Sequence, residues 1–591
     1  MAVSLYTVYS TVGVQRFLYG SRALAKIKWW EGTIVYQIYP RSFQDSDGDG
    51  VGDIAGITSR LDYIKELGVE AVWLSPIYES PMVDFGYDVA DFTEIDTLFG
   101  TMDDFNELIE QAHKRDMKVL MDFIPNHTSD KHVWFELSRK AKRGANNPYK
   151  DYYIWHDGRK AKDGTLLPPN NWVGVFGGSM WTYDETRKQF YLHQFTKEQP
   201  DLNFRNPEVR REIEEVIAFW LKKGVDGFRV DAVRHIFETK ELHRFEKPSG
   251  DKQFTPDQYE FYSHTLTRNL PEVHELISTW RDILNAYEYK MDKDLFMVVE
   301  VFEEEGTDEQ MKYYASGAHM PFNFQLQKMN TTCDGSCVAR LVYHWLNKMP
   351  EDSVANWVLG SHDVPRIADK MGVNMVNTMN MLLLLLPGVP FTYYGEEIGM
   401  QGVKVAFEDT QDPFGINMGQ DRYEQFSRDP CRSPMQWSYA ANAGFSNAPK
   451  TWLPVHSNYK ENNVEVQQRD PQSHLNFYRR LAKLRRDIAF IRGDLDYAIV
   501  NHEVFSFIRF ENGNIAYLIA ANVGETEVVE NFRKYEGKFP PGRGFVPQKG
   551  FVVMDTHAGN GSYVIENDFI QLSKVKLIPG QGLVLRFWPT F

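Results

Sequence analysis

The chain has 591 residues and a formal net charge of −16, with 42% apolar, 25% charged and 14% aromatic residues. That length exceeds one compact core, so two or three domains are expected, and the acidic balance argues against a nucleic-acid partner. Its three cysteines, Cys333, Cys337 and Cys431, give neither a disulfide scaffold nor zinc-ligand spacing; Cys333 and Cys337 lie near enough to bridge or to remain two thiols.

Residues 3–14 are mildly apolar, but no basic stretch precedes them and no clean cleavage site follows, so no signal peptide is read there. A rhythm of short apolar strand, loop and amphipathic helix then begins. TIVYQIYP (33–40) is the first strand, and Ile57, Leu61, Ile64 and Leu67 recur at helical spacing after it. AVWLSPI (71–77) is the second strand. Thr101 with Asp104 three residues on predicts a capping box opening the next helix. KVLMDFIP (118–125) is the third strand.

The rhythm lapses for about a hundred residues rich in Trp, Asn, Pro and Gly. It resumes with a helix over EVRREIEEVIAFWLKKG and strands at 227–233, 296–302, 320–325, 357–363 and 389–397. The greasy run from Met381 is too short and too broken by proline to span a bilayer, and reads as a helix end running into a strand. Eight strands of continuous apolar character fit a parallel (β/α)8 TIM barrel covered on both faces. After about residue 495 only extended runs remain, separated by Gly, Asn and Pro turns, which predicts a small antiparallel β domain.

Four of these strands carry an acid at or near the end: Asp122, Asp231, Glu300 and Asp363. Burying an unpaired carboxylate is costly, and the strand ends of a parallel barrel converge on one mouth. With His127, Arg229 and His362 nearby, the set points to glycoside hydrolysis, in which one carboxylate attacks the sugar and a protonated second serves the leaving oxygen. Arg229 lies two residues before Asp231 on one strand face and is expected to keep it ionised. Neighbouring negative charge is expected to keep Glu300 protonated. Retention of configuration requires a separation of about 5–5.5 Å between the two carboxyls.

At these residues the chain resembles glycoside hydrolase family 13, the α-amylase superfamily, in its α-glucosidase branch. DFIPNH (122–127), GFRVDAVRH (227–235), VVEVF (298–302) and GSHDVPR (360–366) resemble the four signature segments in order. QPDLNF (199–204), GDIAGI (52–57) and GVPFTYYGEEIG (388–399) resemble accessory ones. The resemblance implies an N-terminal extension over 1–28, a barrel over 29–128 and 201–494, an inserted B domain over 129–200 and a C-terminal β-sandwich over 495–591. It implies Asp231 as nucleophile, Glu300 as acid/base and Asp363 as transition-state stabiliser, with His127, Arg229 and His362 around the bound glucose. In DFGYD, Asp84 and Tyr87 resemble the residues that grip and stack on the sugar, and Arg432 in RSPMQW the arginine that pairs with Asp84 to close the pocket. Closure favours removal of one terminal glucose from maltose, sucrose or short oligosaccharides, and Ala232 resembles the small residue of α-1,4-preferring members.

DSDGDGVGD (45–53) alternates acids as a hard-cation loop does; Asp45, Asp47, Asp49, the carbonyl of Val51 and Asp53 resemble a structural calcium site. The resemblance also implies a secreted or extracellular-facing protein, in which Asn330-Thr-Thr and Asn560-Gly-Ser are acceptors for glycans. FIPNHTSDKHVWF, DYYIWHD and TYYGEEIGM resemble as well the ectodomain of the rBAT heavy chain of amino-acid transporters. That relative implies a competing role as partner of a transporter light chain. Neither a membrane span nor the linking cysteine precedes Lys26 here, and every catalytic position is filled, so the hydrolase ranks first.

Overall fold

The computed structural model describes residues 27–589 except 142–145, 303–305, 512, 535–545 and 559. Most of the extension expected over 1–28, and the segment read for a signal peptide, lie outside the described residues. Among those described, no helix is long and apolar enough to cross a membrane.

Eight parallel strands form the central sheet: β1 Val35–Ile38, β2 Ala71–Leu74, β3 Lys118–Phe123, β4 Gly227–Val230, β5 Phe296–Val299, β6 Met320–Pro321, β7 Asn356–Val358 and β8 Val389–Tyr393. The order β6-β5-β4-β3-β2-β1-β8-β7 follows the chain around a ring. Side chains bridge the seam between β6 and β7: Asn323 Nδ2 donates to the Asn356 carbonyl at 2.9 Å, and Asn356 Nδ2 to the Pro321 carbonyl at 2.7 Å. Every predicted barrel strand exists, and each is shorter than its apolar run. Just beyond the strand ends single backbone bonds persist, such as Asp231 N to the Phe123 carbonyl at 2.8 Å and Glu300 N to the Val230 carbonyl at 2.9 Å, before the chain turns into the loops of the mouth.

Alternation divides the strands. Val35, Trp73, Leu120, Phe296, Val298, Val358 and Phe391 fill the barrel interior. Their neighbours, such as Tyr36, Val72, Val119 and Met297, face the helices. Those helices present matching stripes, such as Val209, Ile213, Val216, Ile217 and Trp220 on Pro207–Lys222; each large side chain so buried contributes roughly 1.5–3 kcal/mol. The capping box forms as predicted: Asp104 N donates to Thr101 Oγ1 at 3.2 Å and Thr101 N to Asp104 Oδ2 at 2.8 Å.

The residues between β3 and the helix Pro207–Lys222 include a small antiparallel sheet of Trp155–His156, Gln189–Leu192 and Trp181–Asp184. Bridges from His127 to Asp201 and from Tyr153 to Leu202 tie it to the end of β3. The C-terminal region is a six-stranded antiparallel sheet over 494–587 with a two-stranded companion. The run from Met381 is a buried helix end, Val376–Leu385, feeding β8. Cys333 and Cys337 are bridged, and Cys431 is a buried free thiol.

Candidate active site

Strand parity aims the acids. Asp122, Arg229 and Val298 share one layer, since Arg229 pairs in register with Asp122 on one side and Val298 on the other. Two residues further along each strand the chain again faces inward, which brings Asp231 and Glu300 to the same level at the mouth. Both are nearly buried, at 7% and 9% exposure.

One guanidinium organises them. Arg229 Nη1 donates to Asp122 Oδ1 at 2.8 Å and also to Asp231 Oδ1, while Nη2 donates to Glu300 Oε1. Two hydrogen bonds across one guanidinium put the bonded oxygens of Asp231 and Glu300 at most about 8 Å apart. The Ala232 amide donates to Glu300 Oε2 at 3.2 Å. Asp122 also accepts from Tyr87 Oη at 3.1 Å and Trp73 Nε1 at 3.3 Å.

The expected ionisation of Asp231 needs correction. Burial, with Glu300 and Asp122 adding repulsion, raises its carboxyl well above the usual range despite Arg229. Burial dominates, and the one positive charge of Arg229 that opposes it is divided among three carboxylates. Burial likewise raises Asp122 to about 6. Burial thus favours the protonated form in this cluster, and the proton belongs to the coupled carboxyls more than to one residue.

Opposite this cluster stands a second. Asp363 keeps 30% of its side-chain exposure. Arg428 Nη1 and Arg432 Nη2 reach it at 3.3 and 3.2 Å, and His362 Nε2 lies 3.3 Å from its other oxygen. Burial opposes its charge, but His362, Arg428 and Arg432 outweigh burial and hold the carboxyl well below the usual range. Since burial depresses His362 itself to about 3, that ring is neutral near pH 7 and the arginines carry the effect. Tyr87 stacks parallel to His362, centroids 5.5 Å apart, and its hydroxyl lies 2.7 Å from Nε2. Tyr39 stacks at 5.7 Å, and Gln37 Nε2 lies 2.8 Å from Nδ1. His127, also held at about 3 by burial, lies 3.1 Å from Gln199 Nε2, which donates to Asp84 Oδ2 at 3.2 Å.

The arginine that pairs with Asp84 is Arg428, at 2.9 Å, not Arg432. Arg432 is turned inward, its Nε donating to the His362 carbonyl at 2.7 Å. The segment SRDPCRSPMQW offers two arginines four residues apart, and Arg432, expected to pair with Asp84, is the one that turns away from it.

In the acidic loop, carboxylate oxygens of Asp45, Asp47 and Asp49 come within 4.8 Å of one another, a hard-oxygen set able to hold a metal ion. Asp53 stands apart from the expected ligand set. Its Oδ1 caps the helix Ile54–Ser59 through Gly56 N at 2.6 Å, and its Oδ2 accepts from Ser46 N at 2.7 Å. Val51 turns its amide back to Asp49 Oδ1 at 2.7 Å.

The family model for the α-amylase catalytic domain matches residues 37–494. Maltase 1 of Drosophila virilis is 45% identical over 507 residues, covering 84% of this chain and 79% of that protein. The amino acid transporter heavy chain SLC3A1 of Homo sapiens is 38% identical over 573 residues, covering 94% of this chain and 78% of that protein. Among solved structures, the α-glucosyl transfer enzyme XgtA superposes with a TM-score of 0.82 at 32% identity, covering 95% of this chain and 100% of that one.

Proposed function

The chain belongs to the α-amylase family, and from that premise we propose that Asp231 is the nucleophile and Glu300 the acid/base of a retaining, exo-acting enzyme. The chain is a glycoside hydrolase of the α-glucosidase type. The observation that carries the assignment of roles is the bonding of both carboxylates to one buried guanidinium, Arg229.

The reaction needs Asp231 ionised and Glu300 protonated when substrate is bound. Asp231 attacks the anomeric carbon as Glu300 gives its proton to the departing glycosidic oxygen, forming a glycosyl ester. Glu300, now a base, takes a proton from water, whose oxygen attacks the same carbon and releases Asp231. Asp363, held ionised by Arg428 and Arg432, stabilises the positive charge that develops on the ring in the transition state of each step. Neutral His127 and His362 hydrogen-bond glucose hydroxyls, and Asp84 paired with Arg428 closes the blind end. A closed end favours maltose, sucrose or short oligosaccharides cut at the terminal residue, with α-1,4 linkages preferred.

The Asp45, Asp47 and Asp49 cluster would hold calcium, a cation that takes carboxylate and carbonyl oxygens, in a structural role. An oxidising, extracellular setting is supported by the Cys333–Cys337 bridge. The exposed Asn330 nearby, whose Oδ1 accepts from Thr332 Oγ1 at 2.6 Å, is a glycan acceptor in that setting.

The test is glucose release from maltose and p-nitrophenyl α-glucoside, with the anomer first released read by NMR. Asp231→Asn should cost at least about 10⁴-fold, and α-glucose should appear first. No turnover by the wild type, together with capture of a polytopic transporter, would replace this reading with the heavy-chain one.

A further inference from the structure

Arg428 reaches the pocket from the tight turn between the short helix Tyr423–Phe426 and the 3-10 helix Asp429–Arg432. Such a turn does not by itself fix a long side chain. What holds the guanidinium is a residue that never meets the sugar. Asp412 is fully buried, at 0% exposure. Its Oδ1 accepts from Arg428 Nη2 at 2.6 Å, both its oxygens lie 3.1 Å from Nε, and its Oδ2 accepts from the Arg428 backbone amide at 2.6 Å. The carboxylate thus occupies the Nε edge of the fork, a bidentate fit. Of the guanidinium hydrogens left over, one on Nη2 serves Asp84 at 2.9 Å and Nη1 serves Asp363 at 3.3 Å. Behind the fork, the ring of Phe176 supports the guanidinium carbon 4.9 Å from its centroid.

We propose that Asp412 is a positioning residue that sets sugar affinity, fixing Arg428 so that it closes the glucose pocket through Asp84. The inference rests on the α-glucosidase reading. Asp412 has a plainer duty as well, since its Oδ1 caps the helix Pro413–Met418 through Phe414 N at 3.3 Å. That contact is long, whereas the four to Arg428 are shorter.

Asparagine separates the two duties, because it caps a helix about as well as aspartate but presents one acceptor and one amide to the fork. Maltose kinetics and the dissociation constant of glucose, read by intrinsic fluorescence, are measured for wild type and Asp412→Asn alongside thermal midpoints. Weakening a charge-assisted fork is worth about 10- to 100-fold. We expect KM and the glucose constant to rise together by that factor, with kcat changed less than about fivefold and the midpoint nearly constant. Glucose affinity within twofold of wild type overturns the proposal, as does a fall in kcat at constant KM, the signature of a purely structural loss. If Asp412→Asn does not fold, Asp412→Glu carries the test, since it keeps the charge and displaces it by one methylene. A glucose constant raised threefold or more then supports positioning, and an unchanged one overturns it. Absence of maltose turnover by the wild type would defeat the α-glucosidase reading instead, and glucose binding would still decide the role of Asp412.

Discussion

Replacing Asp122 by asparagine should make the protein more stable at neutral pH and less active. The carboxyl is raised from 3.8 to about 6, chiefly by burial, so the folded state holds its proton more tightly than the unfolded chain does. Stability associated with that proton is complete below about pH 4 and lost as pH climbs through 6. The displacement corresponds to about 3 kcal/mol, the cost of carrying this charge in the fold at pH 8. Asparagine removes the cost while keeping shape. Its amide oxygen can face Arg229, and the Tyr87 hydroxyl can turn to His362 Nε2 at 2.7 Å once Gln37, 2.8 Å from Nδ1, swings its amide oxygen to that nitrogen; the Trp73 N–H gives up only a long contact of 3.3 Å. For cooperative unfolding of a chain this long, about 3 kcal/mol is about 2–3 °C. Scanning calorimetry at one scan rate should show Asp122→Asn melting that much higher than wild type at pH 8 and level with it at pH 4. Its kcat should fall about 100-fold, since Arg229 loses a charged partner that orients it towards the reacting groups. A variant that melts below wild type at pH 8, or by the same margin at both pH values, would refute the reasoning.

Chelation with EDTA should lower the melting temperature by several degrees and added calcium restore it, with Asp47→Ala abolishing the response; an indifferent wild type would reduce the loop to an acidic turn. His127 and His362, both held at about 3, should contribute no limb to the pH profile of kcat/KM. His362→Asn should therefore lower the curve without moving its acid side. Ala232 sits in left-handed backbone at φ 49°, so Ala232→Val should cost about 1–2 kcal/mol and disturb the amide that holds Glu300, read as a joint fall in melting temperature and kcat. A protonated glucose-shaped imino sugar should bind at least about 100-fold tighter than glucose at pH 7. Calorimetric titration should show that advantage shrinking as pH falls towards 4 and the raised carboxyls take up protons.

The barrel was legible because strands covered on both faces are apolar throughout, and the acids near their ends had no structural excuse. The C-terminal sheet was legible by its turns. What sequence could not supply was which side chains meet after the strands end. Arg428 and Arg432 lie in the same irregular segment with no period to aim them; only the packed loop, with Asp412 behind it, turns one to Asp84 and the other to the His362 carbonyl. Asp53 fits the alternation of the acidic loop, yet it also stands three residues before Gly56 at a helix start. Capping took its oxygens. In the same way, Arg229 two residues before Asp231 was a sound signal of contact but a poor guide to charge, because Asp122 and Glu300 reach the same guanidinium from other strands.

That division of charge is the property from which the chemistry follows. Arg229, Arg428 and Arg432 face Asp122, Asp231, Glu300, Asp84, Asp363 and Asp412, three cations against six acids in a largely buried space. Stability alone does not account for such an arrangement, since buried charges rarely recover their desolvation even when paired one to one. Protons taken up by Asp122 and Asp231 relieve part of the excess. A sugar ring developing positive charge between Asp231 and Asp363 would relieve more, in a site whose dipoles and guanidiniums are already fixed and have no reorganisation left to perform. A neutral substrate gains little from this field and its cationic transition state gains much, so the imbalance that burdens the fold is the source of its differential binding.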